Sequence, residues 1–446
     1  MQPRNDFSAL VRLSIPLVAV NLGNQLMGVV DTAIAGRIDE LSLAATGLGN
    51  TIMGLGAVAG LGVVLGIDPI ASQAFGAERP REARRAMWAG IYVGLITMLP
   101  VVAFTWALGA GLEFAGVDPV LAVKSRQYLN PRLLQFLPFF IFIACRAYLQ
   151  AAHRTGPMVV SMVVANLFNG LAAWALAFGV PSLGLPAFGI VGLAWATNAS
   201  SVVQLAIVVM GVRGLSPGEG TDPLRRPDRA MVRRAFRLGI PLGLQLLAEV
   251  GIFSLVGILV SRMGTARMGA HQVAITVASL TFMVPLGISM ATSVQVGRAI
   301  GANDTLGARR AGFYGITLGG GFMLMAGLVL WLQPGAIARA MTDQPAVIAI
   351  TVGLLQIAGA FQLFDGIQCC GCGALRGAGE TRWAFVANVV GYWLLGLPLG
   401  LALMGRFGPY GLWWGLTLGL AIVAVTVSAK FHKLSSRPIA AMAATP

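Results

Sequence analysis

The chain has 446 residues, 57% of them hydrophobic and only 11% charged, with a mean hydropathy of +0.78. A soluble domain carries about 25% charged residues, so a large water-soluble core is excluded and a membrane protein is indicated. The formal charge of +14, from 31 Lys+Arg against 17 Asp+Glu, calls for no nucleic acid, because cytoplasmic loops of membrane proteins collect basic residues.

Residues 1–6 are polar, and the apolar run after them is too long for the h-region of a cleavable signal. Twelve apolar stretches are then long enough to span a bilayer: roughly 13–36, 44–68, 87–109, 129–151, 157–180, 188–212, 238–260, 268–297, 311–333, 346–372, 383–404 and 410–429. The 58 glycines and the internal prolines suit such helices, whose neighbours satisfy freed backbone groups. The Gly56–Gly60 and Gly62–Gly66 spacings are close-packing signals; no strand precedes them, which argues against a nucleotide fingerprint. The only lysines are Lys124, Lys430 and Lys433. None follows a glycine-rich loop, which excludes ATP hydrolysis by a phosphate-cradling loop.

Basic residues orient the chain. With the N-terminus inside, 23 of the 31 Lys+Arg fall on the inner side and 8 on the outer, which places both termini in the cytoplasm. Residues 214–234 read as a polar cytoplasmic linker between a six-helix bundle at 1–213 and a second at 235–446. The halves repeat. Ile15-Pro16 matches Ile240-Pro241, Gly76-Ala77 matches Gly301-Ala302, and Arg84-Arg85 matches Arg309-Arg310, all at an offset of 225. Two parallel repeats of this kind are a transporter plan, with the site at the interface of the halves. The fold class is therefore an all-α integral membrane protein of twelve transmembrane helices in two pseudo-symmetric six-helix bundles.

The repeat breaks where it carries charge: Glu249 pairs with Asn24, and Asp31 with Val256. Glu249 is the only charge in Gly239–Val260, twelve residues past Arg237 and thirteen before Arg262. Either gap is roughly 20 Å of helix, so Glu249 sits near mid-bilayer. Asp365, eleven residues before Arg376, reaches similar depth, and Asp31 lies in the outer half of the first span. Asn21, Asn24, Gln25, Asn166, Asn169, Gln245, Gln362 and Gln368 accompany them, and no Lys or Arg is expected at comparable depth. Intramembrane acids without a counter-ion mark a cation site: they take up a proton, or Glu249 and Asp365 hold a sodium ion. The alternative is three protonated acids hydrogen-bonded between helices.

Other residues read as structural. Asp68 is expected to partner the arginines of the basic inner loop, and His271 to be a packed or interfacial histidine. Phe361 shares a face with Asp365 and offers either a ring to a cation or plain packing. Cys369, Cys370 and Cys372 lack the second ligand pair that a metal site needs.

The segments MGVVDTAIAGRI (27–38), IPLGLQLLAEVGIFSLVGILVSRMG (240–264), MGAHQVAITVASLTFMVPLGIS (268–289), VGRAIGA (296–302) and FDGIQCCGCGALRGAG (364–379) resemble the multidrug and toxic compound extrusion (MATE) family, most closely its NorM-like branch. The resemblance covers nearly the whole chain. It implies two bundles around a central cleft and export of cationic or amphipathic small molecules from the inner membrane in exchange for sodium or protons, by a monomer without a cofactor. Glu249 and Asp365, with Phe361 beside them, match the family's cation-coupling positions, with Na+ possible at the two acids. Asp31 matches a first-span acid for substrate or proton, and Asn169 a polar position of the fifth span; Asn24 and Gln25 are grouped with that substrate side. Ala173 and Phe361 stand where the branch can carry an amide and a tyrosine. A lipid-linked-precursor flippase of the same superfamily, an intramembrane enzyme and a channel are the competing functions. The flippase would want basic residues at depth, and the histidines His153, His271 and His432 lie near span ends, which disfavours the enzyme.

Overall fold

The computed structural model describes residues 3–216 and 228–441, so Arg225 and Arg226 of the expected linker fall outside the described residues. Twelve helices are long and apolar enough to cross a membrane: α1 (Asp6–Ile38), α2 (Glu40–Gly76), α3 (Pro80–Ala110), α4 (Pro119–Ala151), α5 (Gly156–Phe178), α6 (Gly189–Arg213), α7 (Arg229–Ser261), α8 (Thr265–Gly301), α9 (Thr305–Leu332), α10 (Pro345–Gly377), α11 (Arg382–Phe407) and α12 (Pro409–Ser435). No β-strand forms among the described residues; Val180 and Leu185 make an isolated bridge. The chain is a multi-pass, all-helical integral membrane protein, and each helix overlaps one of the twelve apolar stretches over most of its length.

The helices outrun those stretches. α4 begins ten residues earlier than hydropathy indicates, α7 nine earlier, and α2 ends eight later. The added turns are polar, so hydropathy marks what a bilayer covers and not where the backbone ladder stops. Caps explain several ends. Asp39 is extended between α1 and α2, and its carboxylate accepts from Ser42 N at 2.5 Å and Ser42 Oγ at 3.0 Å, satisfying a donor the helix start leaves open. That backbone bond, with Lys124 at 3.7 Å, holds the Asp39 carboxyl below its usual range. Asp118 caps α4 in the same way, ahead of Pro119 in the first turn.

Two compact units result. Unit one gathers the residues up to Val18, Asp68–Glu78 and the described chain from Leu244 on. Unit two holds Ala19–Ile67 and the described parts of Arg79–Gly243. In unit one, α9 and α10 meet backbone to backbone. A Cβ on Gly327 would stand 2.3 Å from Gly359 O, and one on Gly366 would stand 2.6 Å from Gly319 O, so no side chain fits between them. In unit two the Gly62–Gly66 pair serves likewise: a Cβ on Gly62 would lie 2.4 Å from Gly243 Cα, the close packing that the spacing foretold. Within α11, residues Val389–Gly396 widen into a π-helix just before Pro398.

Candidate functional sites in the two units

In unit one the site is a stripe facing a stripe. On α10, Phe361, Asp365, Gln368 and Cys372 follow one another at helical spacing and share a face; on α7, Gln245, Glu249 and Phe253 do the same. The two stripes meet in antiparallel register. Gln245 Nε2 donates to Cys372 Sγ at 3.5 Å, Gln368 Nε2 donates to Glu249 Oε2 at 3.5 Å, and the Phe253 and Phe361 rings lie edge to face at 5.9 Å. Asp365 is buried and within electrostatic reach of Glu249, which is partly buried.

The oxygens of this stripe are short of donors. Buried Oε1 atoms of Gln245 and Gln368, and of Gln362 on a neighbouring face of α10, have no hydrogen-bond partner, and no hydrogen bond reaches the Asp365 carboxylate among the described residues. Gln362 spends its amide nitrogen on Thr281 at 2.5 Å. A buried oxygen without a donor is costly, and two neighbouring carboxylates cannot both stay ionised and unpaired. This geometry accepts a proton or a cation. Phe361 lies between Phe253 and Trp413, 6.0 Å from the latter ring, so it is a packed residue beside the acids. His271 is also buried, with Trp413 Nε1 donating to its Nδ1 at 3.1 Å.

In unit two the acid is differently housed. Asp31 is buried on α1, and Thr197 of α6 donates to its Oδ2 at 2.9 Å, while Oδ1 has no partner. Asn169 of α5, fully buried, approaches the carboxylate without reaching hydrogen-bond geometry. Beside Asp31 opens a cavity of about 240 Å³, bordered also by Asn24, Arg132, Phe142, Arg146 and Gln204. Gln204 donates to Asn24 at 3.3 Å on its rim. Gln25 is exposed on α1 and does not line the cavity.

Arg132 overturns one expectation. Both it and Arg146 are buried on α4 and line this cavity, whereas the hydropathy pattern implied no cation at the depth of the acids. The physical reason is the early start of α4: Arg132 lies inside a long helix and not at its mouth. Its guanidinium is also largely engaged, through Nε, Nη1 and Nη2. Nη1 donates to Asn50 Oδ1 and Tyr128 OH, and Nη2 to Gln135 Oε1 at 2.9 Å. Gln135 passes the chain on to Ser201 at 2.9 Å. This network places a fixed positive charge near Asp31.

Asp68 goes beyond its expectation. Arg376 of α10 stands 4.0 Å from it with both side chains buried, a partner outside the inner loop that the sequence did not indicate. Arg84 of that loop instead donates to Val212 O and Leu215 O at 2.9 and 2.7 Å, closing the end of α6. The three clustered cysteines sit on α10 among apolar and amide neighbours, and no group of three His, Cys, Asp or Glu converges among the described residues. Residues of these sites that sequence reasoning missed are Arg132 and Thr197. Arg132 had a signal, a charge four residues past Tyr128 at the edge of an apolar run. Thr197 had none, because a lone hydroxyl in an apolar helix is ordinary.

Comparison with known proteins now bears on these sites. The MatE family profile matches residues 16–175 and 241–402, two segments whose starts lie 225 apart, like the internal repeat. The chain is 35% identical to the probable multidrug resistance protein NorM of Mesorhizobium japonicum over 94% of this chain and 92% of that one. It is 34% identical to the protein of the same description from Deinococcus radiodurans, covering 96% and 95%. In fold it is similar to the crystal structure of the eukaryotic MATE transporter AtDTX14, with a TM-score of 0.86 at 19% identity, covering 98% of this chain and 99% of that one.

Proposed function

Because this chain belongs to the MatE family, we propose that it is a multidrug efflux antiporter, exporting cationic or amphipathic compounds in exchange for sodium or protons by alternating access. The family is one of transporters, so the chain is not an enzyme. It works in the cell's inner membrane with both termini cytoplasmic, the orientation that the basic residues favour. One observation carries the coupling. Among the described residues the Gln368 amide is the one donor to the Glu249 and Asp365 carboxylates on this stripe, which supports a cation completing it. Asp31 offers its unpartnered Oδ1 to the ammonium group of a substrate beside the cavity. Antiport follows when ion and drug occupancy oppose each other, and by linkage the opposition is reciprocal.

A second reading has one observation in its favour. Arg132 and Arg146 in the Asp31 cavity suit an anionic, lipid-linked precursor better than the sequence suggested. Most donors of Arg132 are already spent on Asn50, Tyr128 and Gln135, which leaves it chiefly a counter-charge and ranks this reading second. Proteoliposomes separate the two. Export of an ethidium-like dye under an imposed sodium or proton gradient is expected, tested one gradient at a time. Dye that never moves against either gradient, with translocation of an anionic lipid-linked probe, would reverse the ranking.

A further inference from the structure

Tyr392 is 1% exposed, and its hydroxyl has no hydrogen-bond partner. Tyrosine hydroxyls shut away from water normally find one. The π-helix Val389–Gly396 sets the ring where it is, and π-turns inside α-helices recur at functional sites. Three contacts fix the register. Trp393 Nε1 donates to Ala248 O at 3.1 Å, one residue before Glu249. The Tyr392 ring lies 6.2 Å from that of Phe253, which in turn meets Phe361, one helical turn from Asp365. Behind the ring stands Gly419 of α12, where a Cβ would come within 3.0 Å of Tyr392 Cδ1, so only glycine admits the tyrosine. The titratable groups within electrostatic reach of Tyr392 are Glu249 on α7 and Asp365, Cys369 and Cys372 on α10; α12 adds none among the described residues.

We propose that the Tyr392 hydroxyl is a third, neutral oxygen of the Glu249–Asp365 site. This rests on reading that pair as the coupling site. Its role is to position and not to carry charge. The O–H donates to whichever carboxylate is ionised, or its lone pair faces a bound metal cation, and either role tunes the ion concentration at which the site fills. Removing the oxygen therefore moves the ion dependence and leaves the number of charges unchanged.

The test is dye affinity measured on purified protein in lipid nanodiscs, titrated along pH and separately along sodium. Wild type, Tyr392→Phe, Glu249→Gln and the double variant are compared. Tyr392→Phe deletes one unpartnered oxygen and keeps the ring packing, so folding and thermal midpoint are retained. If protons couple, the ionised pair loses a donor and the midpoint moves to higher pH by about tenfold in proton concentration; if sodium couples, half-saturating sodium rises about tenfold. The shift disappears in the Glu249→Gln background. A Tyr392→Phe midpoint within about twofold of wild type on both axes, or the same shift with Glu249 already neutral, overturns the proposal while leaving the acid pair as the coupling site. Glu249→Gln protein that keeps wild-type ion dependence overturns both.

Discussion

The buried acids of the two units are answered in opposite ways. In unit two, Asp31 has a hydroxyl bond from Thr197 and a fixed guanidinium nearby, held by its own network. Its charge is balanced from within, and an adjoining cavity is left for a ligand. In unit one, Asp365 and Glu249 lie within reach of each other, and amides are the polar groups on the facing stripes. The balance must come from outside, as a proton or a metal ion. On the function proposed above, the difference teaches where coupling and recognition would divide: the pair that lacks a counter-charge would sense the ion gradient, and the acid that has one would greet the drug.

The sharpest way to break this division is at the pair. Glu249→Gln and Asp365→Asn are each expected to lower gradient-driven dye export in proteoliposomes by about a hundredfold, the upper range of ordinary coupling energies. Binding without a gradient should stay within a fewfold of wild type, with its ion dependence flattened. Undiminished coupled export by either variant would reduce these acids to structural groups.

Next in size come the changes in unit two. Asp31→Asn should weaken binding of a cationic dye about tenfold, the loss of one charge-assisted contact, while leaving the ion dependence in place. If it flattened the ion dependence as Glu249→Gln does, the division of labour would collapse. Arg132→Gln tests the counter-charge itself. It strands Asn50, Tyr128 and Gln135 as well as Asp31, so a loss of about 3–5 kcal/mol in stability is expected, read as a lower thermal midpoint in detergent.

The smallest effect is expected at Asp39. Asp39→Ala removes a helix cap and should cost about 1 kcal/mol at neutral pH. The Asp39 carboxyl titrates below its usual range because it accepts from Ser42 N. The cap's contribution is therefore present above the unfolded-state value and is lost as pH falls through the folded one. Wild type and variant should differ in thermal midpoint at pH 7 and converge as the pH is lowered past that range.

The twelve spans were legible because a bilayer demands long apolar runs, and so was the placing of Glu249 and Asp365 well inside α7 and α10, away from the flanking arginines. The repeat was legible because Pro16 and Pro241, and the arginine pairs, stand at one fixed offset. The zipper of α7 against α10 was not, since nothing in a single chain says which face of Gln245, Glu249 and Phe253 meets which residues of α10. Arg132 was hidden by the method's own signal: an apolar window sees where α4 enters hydrocarbon, and not that a polar helix leads into it. The π-turn at Val389–Gly396 also escaped, because its ladder shifts by one residue without any change of composition.

Among the described residues the chain passes between the two units at four places, and each coincides with a fault in the helical ladder. The change at Val18 follows Pro16, and that at Gly243 follows the repeat-related Pro241. The change at Ile67 falls on a tight 3₁₀ turn, Leu65–Ile67. That at Glu78 falls on a left-handed residue with φ 57°. Proline removes one rung of hydrogen bonding, and a 3₁₀ turn has already exchanged its rungs for weaker ones. Bending at such points breaks little that was intact. In mechanical terms these turns are soft points, three of them inside the rods α1, α2 and α7, where a rod can flex without the rest of it having to melt.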